Sequence, residues 1–171
     1  LIGADLSNSI LTGVDLSGKD LTGTMLAGVD LSGRDLTGTI LIGADLSNSI
    51  LTGVDLSGRD LTGTKMVRVD LSGMDLTYTI LTDANLIGAN LSGAILTNTN
   101  LTGINLTGAK LVNVDLSGMD LTGAILRGTD LNTVDLTEAI LTDANLENAV
   151  ISNVNLTDAI LNCSNHPICV N

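Results

Sequence analysis

Leucine returns every five residues, from Leu1, Leu6 and Leu11 onward to Leu161, without a slip. Of these 33 positions, only Met66 and Ile151 are not Leu, and both are apolar. The other four phases are equally distinct. Two residues before the leucine stand small residues such as Ala4, Ser9, Val14, Thr24, Val29 and Ala44. Asp or Asn commonly comes one before, and Ser or Thr one after. Two after comes Gly, and all 19 glycines of the chain occupy that phase. A period of five fits neither an α-helix nor a flat strand. It predicts a short extended piece followed by a corner. The leucine and the small residue point inward, and the other three point outward. Gly at the third residue of a type II turn supplies the positive φ that such a corner needs. Asn8, Asn48, Asp83, Asn98 and Asp143 replace Gly at some corners and tolerate the same backbone. Arg68, Tyr78, Thr133 and Glu138 fill that phase too, and a different turn type is expected there.

The runs Ala4-Asp5-Leu6-Ser7-Asn8 and Ala84-Asn85-Leu86-Ile87-Gly88 resemble the A-(D/N)-L-x-x signature of the pentapeptide repeat family. The resemblance covers residues 1 to about 162. It implies an all-β fold, a right-handed quadrilateral β-helix with four pentapeptides per coil and about eight coils. Stacking at the strand spacing gives a rod on the order of 40 Å long. Residues 1–162 form the solenoid in this reading, and 163–171 a short C-terminal capping tail. Residues 1–40 and 41–80 agree at 33 of 40 positions, which points to a duplication of two coils. The first residue is already in phase, so residues upstream of Leu1 are expected to be missing.

With 20 residues per coil, residues 20 apart stack. One outward column then reads Asp15, Asp35, Asp55, Asp75, Ile95, Asp115, Asp135, Asn155. Six carboxylates in line are a candidate acidic interaction stripe for a cationic partner; the bland alternative is solvated consensus. A second column, Thr62 to Thr142 in steps of 20, raises ice binding. Against that, Thr24 and Thr64, the second threonines of Leu-Thr-Gly-Thr, fall in the inward phase. Lys19, Arg34, Arg59, Met74 and Met119 break the small inward phase. The three cations are expected to bend outward, stem inside and head in water, with Asp20, Asp35 and Asp60 as partners.

Composition narrows the function. Nineteen acids face seven bases for a net charge of −12, which argues against a direct grip on nucleic acid. Phe and Trp are absent and Tyr78 is the single aromatic, so the core is aliphatic. No apolar run is long enough for a membrane-spanning helix. After Leu161 the period ends in a tail with both cysteines, the one His and the one Pro. Ile168 and Val170 are placed to cover the last coil. Cys163 and Cys169 are six apart, and a disulfide is the favoured reading. Free thiols, or a Cys163–His166–Cys169 metal site one ligand short of structural zinc, stay open. A disulfide implies periplasm or thylakoid lumen, and free thiols the cytoplasm.

Nothing in the sequence sets up catalysis. No His is framed as a base, no phosphate loop is present, and no cofactor is implied. Two non-enzymatic readings remain. The first is a structural or protein-interaction rod of unknown partner, as the resemblance to cyanobacterial family members suggests. The second is a DNA mimic acting on gyrase, as in quinolone-resistance members of the family. The charge favours that second reading, and the missing Phe and short tail weaken it. Homodimerisation through an open solenoid end is a further expectation.

Overall fold

A computed structural model describes residues 1–169. Val170, assigned above to the cap, lies outside the described residues. Each pentapeptide makes one extended step and one turn. The small inward residue donates its N–H to the leucine carbonyl three residues before, as in Ala4 to Leu1 and Thr24 to Leu21, both 2.9 Å. The outward residue before each leucine then pairs in parallel with the residue 20 later: Asp5 with Met25, Met25 with Asp45, Asp45 with Lys65. Four turns therefore separate stacked residues, and each coil has four faces. The first face carries every twentieth residue from Asp5, the second from Ile10, the third from Asp15 and the fourth from Asp20. The extended steps are single paired residues rather than long strands. A polar main chain on so short a repeat finds its partners in the neighbouring coils.

The expected inward phases form the core. Leu21, Leu26, Leu31, Leu46 and Met66 have no solvent exposure, and Val29, Ala44 and Ala84 pack beside them. Each buried leucine is worth roughly 1.5–3 kcal/mol of transfer free energy. Buried threonines in the small phase need a partner for the hydroxyl. Most find it in the coil before: Thr39 donates to the Leu16 carbonyl at 2.8 Å, Thr99 to Leu76 at 2.8 Å and Thr129 to Leu106 at 2.9 Å, while Thr64 donates to Leu61 of its own coil at 2.8 Å.

The corners correct one expectation. Arg68, Tyr78 and Glu138 adopt φ of 58°, 60° and 58°, as the Gly corners do and as the Asp and Asn corners other than Asn153 do. Stacked coils impose the turn, and their bonds outweigh the left-handed cost of roughly 1–2 kcal/mol per residue. Arg68 donates its N–H to Ile87 at 2.9 Å, and Tyr78 to Thr97 at 3.0 Å. Thr133 does differ. Neither it nor Asn153, stacked 20 residues on, takes a positive φ, although Val134 still closes the turn onto Leu131 at 3.0 Å. The link to the coil before is altered there. Asn113 donates to the Thr133 hydroxyl at 3.4 Å instead of to a carbonyl.

Arg68→Gly removes that strain from an exposed corner. It is expected to stabilise the fold by about 1 kcal/mol, or about 2–4 °C in Tm for a chain of this size. Thermal unfolding followed by circular dichroism measures it.

Candidate interaction face

The third face brings the predicted acidic residues into one column. Each carboxylate is also tied down locally. Asp15 Oδ1 accepts from the Ser17 N–H at 2.9 Å and the Ser17 hydroxyl at 2.6 Å. Asp55 does the same with Ser57, and Asp135 with Thr137. Asp35 and Asp115 accept from the N–H two residues on, at 2.8 and 2.9 Å. Asp75 takes both the N–H and the hydroxyl of Thr77. These turns are not special to this face. Asp5, Asp20, Asp30 and Asp60 make them elsewhere, and Asn90 and Asn105 make them with an amide oxygen. The Asp/Asn phase is therefore a turn device first. The third face adds an uninterrupted run of charge from Asp15 to Asp75, with a second pair at Asp115 and Asp135.

The hydrogen bonds set the acidity. The Ser17 hydroxyl and N–H hold Asp15 below the ordinary 3.8, as those of Thr37 and Thr77 hold Asp35 and Asp75. Asp15 pushes Asp35 upward, and Asp55 pushes Asp75 upward, but these repulsions are smaller than the hydrogen bonds. A folded pKa below the unfolded one adds stability above the unfolded value, which is lost as pH falls through the folded one. Stability is therefore expected to hold at neutral pH and to decline as pH drops below 3.8, with Asp15, Asp35 and Asp75 contributing. Denaturation midpoints from pH 7 to 2 check this. Asp35→Asn and Asp75→Asn keep the turn and flatten the decline.

The inward cations follow the expectation only in part. Lys19 is exposed, while Arg34 and Arg59 are half-buried. Nε of both arginines is buried and has no hydrogen-bond partner among the described residues. Asp20, Asp35 and Asp60 are not their ion-pair partners, because consecutive residues of an extended step point to opposite sides of the ribbon. The ion pair among the described residues is Arg127–Glu147, at 3.1 Å on the surface.

The pairing of coils is uneven. The first face is bridged between every pair of coils, from Asp5 through to Asn145 and Ser164. On the third face, among the described residues, Asp15/Asp35, Asp35/Asp55, Asp55/Asp75 and Ile95/Asp115 are unbridged. Clefts open at two of these places and at the unbridged Ile10/Asp30 pair of the second face. One of 690 Å³ is lined by Ile95, Asn98, Asp115 and Met119. A second, of 630 Å³, lies beside Asp55 and Met74, and a third, of 330 Å³, beside Ile10 and Arg34.

In the threonine column the Thr62 hydroxyl turns back to Asp60 at 2.6 Å, as that of Thr22 does to Asp20, while Thr102 and Thr122 engage Asn100 and Asp120 through their N–H groups. At the C-terminal end, Cys163 and Cys169 form a disulfide. Cys163 is buried, and Ile168 and Cys169 pack against the core. The bond occupies both thiols of the considered metal set, and the described residues hold no cluster suited to a metal. Pairing slips by one residue here. Ser164 rather than Asn165 bridges Asn145, donating to Ala144 at 2.8 Å. No described helix is long and apolar enough to cross a membrane.

The model for pentapeptide repeats matches in 8 copies, over residues 1–33, 35–66, 64–103, 99–137 and 139–165. The chain belongs to the pentapeptide repeat family. Its members form right-handed β-helices, which agrees with the parallel pairing at 20-residue steps. Among solved structures the chain is similar to HetL, a pentapeptide repeat protein involved in heterocyst differentiation regulation from the cyanobacterium Nostoc sp. strain PCC 7120. Identity is 32%, over 94% of this chain and 84% of HetL, with a TM-score of 0.47. QnrB1, a plasmid-mediated fluoroquinolone resistance protein, shares the fold at 18% identity and a TM-score of 0.57, over 96% and 89% of the two chains. A pentapeptide repeat protein of the Arabidopsis thaliana thylakoid lumen is 34% identical over 63% of this chain and 68% of its own, with a TM-score of 0.32. No curated protein matches.

Proposed function

We propose that the protein is a non-catalytic interaction module. It is a quadrilateral rod of about eight coils over residues 1–162, closed by the tail from Cys163, and its third face meets a protein partner bearing a cationic surface. The observation that carries this is the column of six carboxylates, Asp15 to Asp135, whose Oδ1 atoms are engaged in turns. Charge is thereby displayed at a fixed spacing while the backbone stays in register. No described residue is set apart from its repeat in the way a catalytic acid or nucleophile needs.

Asparagine at all six positions preserves the turns, as Asn90 and Asn105 do, and removes the charge. A partner crosslinked in the source cell is expected to be lost from that variant and from wild type in high salt. A partner retained by the neutral variant refutes the stripe. DNA mimicry is the competing reading, supported by the −12 charge. A gyrase supercoiling assay separates the two, and no inhibition at micromolar protein is expected. The disulfide supports a location in an oxidising compartment, periplasm or thylakoid lumen. Protein isolated natively under an alkylating agent is then expected to show no free thiol. Two free thiols would move it to the cytoplasm.

A further inference from the structure

We infer that the rod is articulated: it bends about its first face, and four oversized inward residues act as the hinges. Eight bridges between successive coils are missing among the described residues, and they fall into four adjacent pairs. They are Ile10/Asp30 with Asp15/Asp35, Asp35/Asp55 with Ile40/Asp60, Ile50/Asp70 with Asp55/Asp75, and Ile95/Asp115 with Asn100/Asp120. Each pair bounds one pentapeptide step, and the inward residue of that step is Arg34, Arg59, Met74 or Met119. Elsewhere in these phases sit Ala, Ser, Thr, Val or Ile104, and the bridges are made. Lys19 has no described coil before it to part from.

Bulk, not charge, is the cause. Asp115 and Asp135 stack carboxylate on carboxylate and remain bridged, because Val114 and Val134 lie beneath them. Ile95 and Asp115 carry no like-charge pair and are open. The column holding Arg59 and Met119 gives a second contrast. Its threonines, Thr39, Thr79 and Thr99, tie their steps to a leucine carbonyl of the coil before. Met119 has no donor to do this, and Arg59 Nε makes no such bond. Every opening includes a third-face pair. The opposite, first face keeps both backbone bonds at each step, for example Leu86 to Asn105 at 2.8 Å and Asn105 to Ala84 at 2.9 Å. A ladder continuous on one side and cut four times on the other bends toward the continuous side. The acidic face is thus the one whose length varies.

Amide exchange in the unmodified protein tests this directly. Leu16, Leu36, Leu56 and Leu96 on the open face are expected to exchange at least about 100-fold faster than Leu26, Leu46 and Leu86 on the first face. Spin-label pairs give the shape: Asp5→Cys with Ile125→Cys on the first face, Asp15→Cys with Asp135→Cys on the third, each 120 residues apart. The third-face distance is expected to be longer and more widely distributed. Met119→Ala narrows it and slows exchange at Leu96. Equal protection on the two faces, or equal distances and widths, overturns the inference, and neither measurement depends on a hinge variant folding.

Discussion

Leu86→Ala lowers the unfolding free energy by about 2–5 kcal/mol, while Leu156→Ala near the C-terminal end costs roughly 1 kcal/mol. Leu86 has no solvent exposure, and Met66 and Leu106 sit one coil to either side of it in the same column. The size of the loss depends on whether the cavity can collapse. Here it cannot easily do so, since Met66 is pinned to Asn85 at 2.7 Å and Leu86 to Asn105 at 2.8 Å on the fully bridged face. Leu156 is only partly buried, so its truncation removes less contact. Position along the stack matters as well. In a solenoid each coil touches its neighbours alone, so a mid-stack defect weakens the coupling of two halves. Urea unfolding is therefore expected to lose its single sharp transition for Leu86→Ala and to keep it for Leu156→Ala. A loss under 1 kcal/mol at Leu86 would mean that the leucine column is not the main source of stability.

The solenoid was readable because its period is unbroken from Leu1 to Leu161 and each phase has one physical job. Inward and outward assignment, turn position and stacking all follow from that. The turn type at Arg68, Tyr78 and Glu138 did not. A residue's own preference is worth about a kilocalorie, and the coils on either side decide the backbone by tying each corner N–H to a carbonyl 19 residues on. Between Gly3 and Asp158 the described corners that stay out of the left-handed region are Thr133 and Asn153, which stack one coil apart, so the departure is shared by neighbouring coils rather than set by one residue's preference. The candidate site was legible in outline. The aspartate column stands where the 20-residue step puts it, but the hydrogen bonds within each turn explain the aspartates before any partner does. The buried threonine bonds were signalled by a hydroxyl in an otherwise apolar phase, which demands an acceptor. Arg34, Arg59, Met74 and Met119 drew notice for the charge of two of them. Their shared property is volume, whose effect depends on the coil before, and a five-residue period carries no record of it.

That dependence on volume can be turned around. Ala84→Met places an oversized residue on the closed side of the rod, and it is expected to cut the Asp60/Ile80 and Lys65/Asn85 bridges. Both are now intact, with Leu61 donating to Ile80 at 2.8 Å and Met66 to Asn85 at 2.7 Å. Ala84 is fully buried, so the added side chain must displace backbone or a neighbour. Overpacking of this kind costs about 1–3 kcal/mol. The two amides, Leu61 and Met66, are expected to lose exchange protection while Leu26 and Leu106 keep theirs, because the remaining coils hold their own pairs. Met119→Ala is the reverse experiment. It surrenders partly buried apolar surface but lets the Ile95/Asp115 and Asn100/Asp120 pairs approach, so protection should appear at Leu96 and Leu101 even if net stability barely changes. If Ala84→Met leaves Leu61 and Met66 protected, the first face resists a wedge that the third does not. The four openings would then belong to the third face itself and not to the size of the residues beneath it.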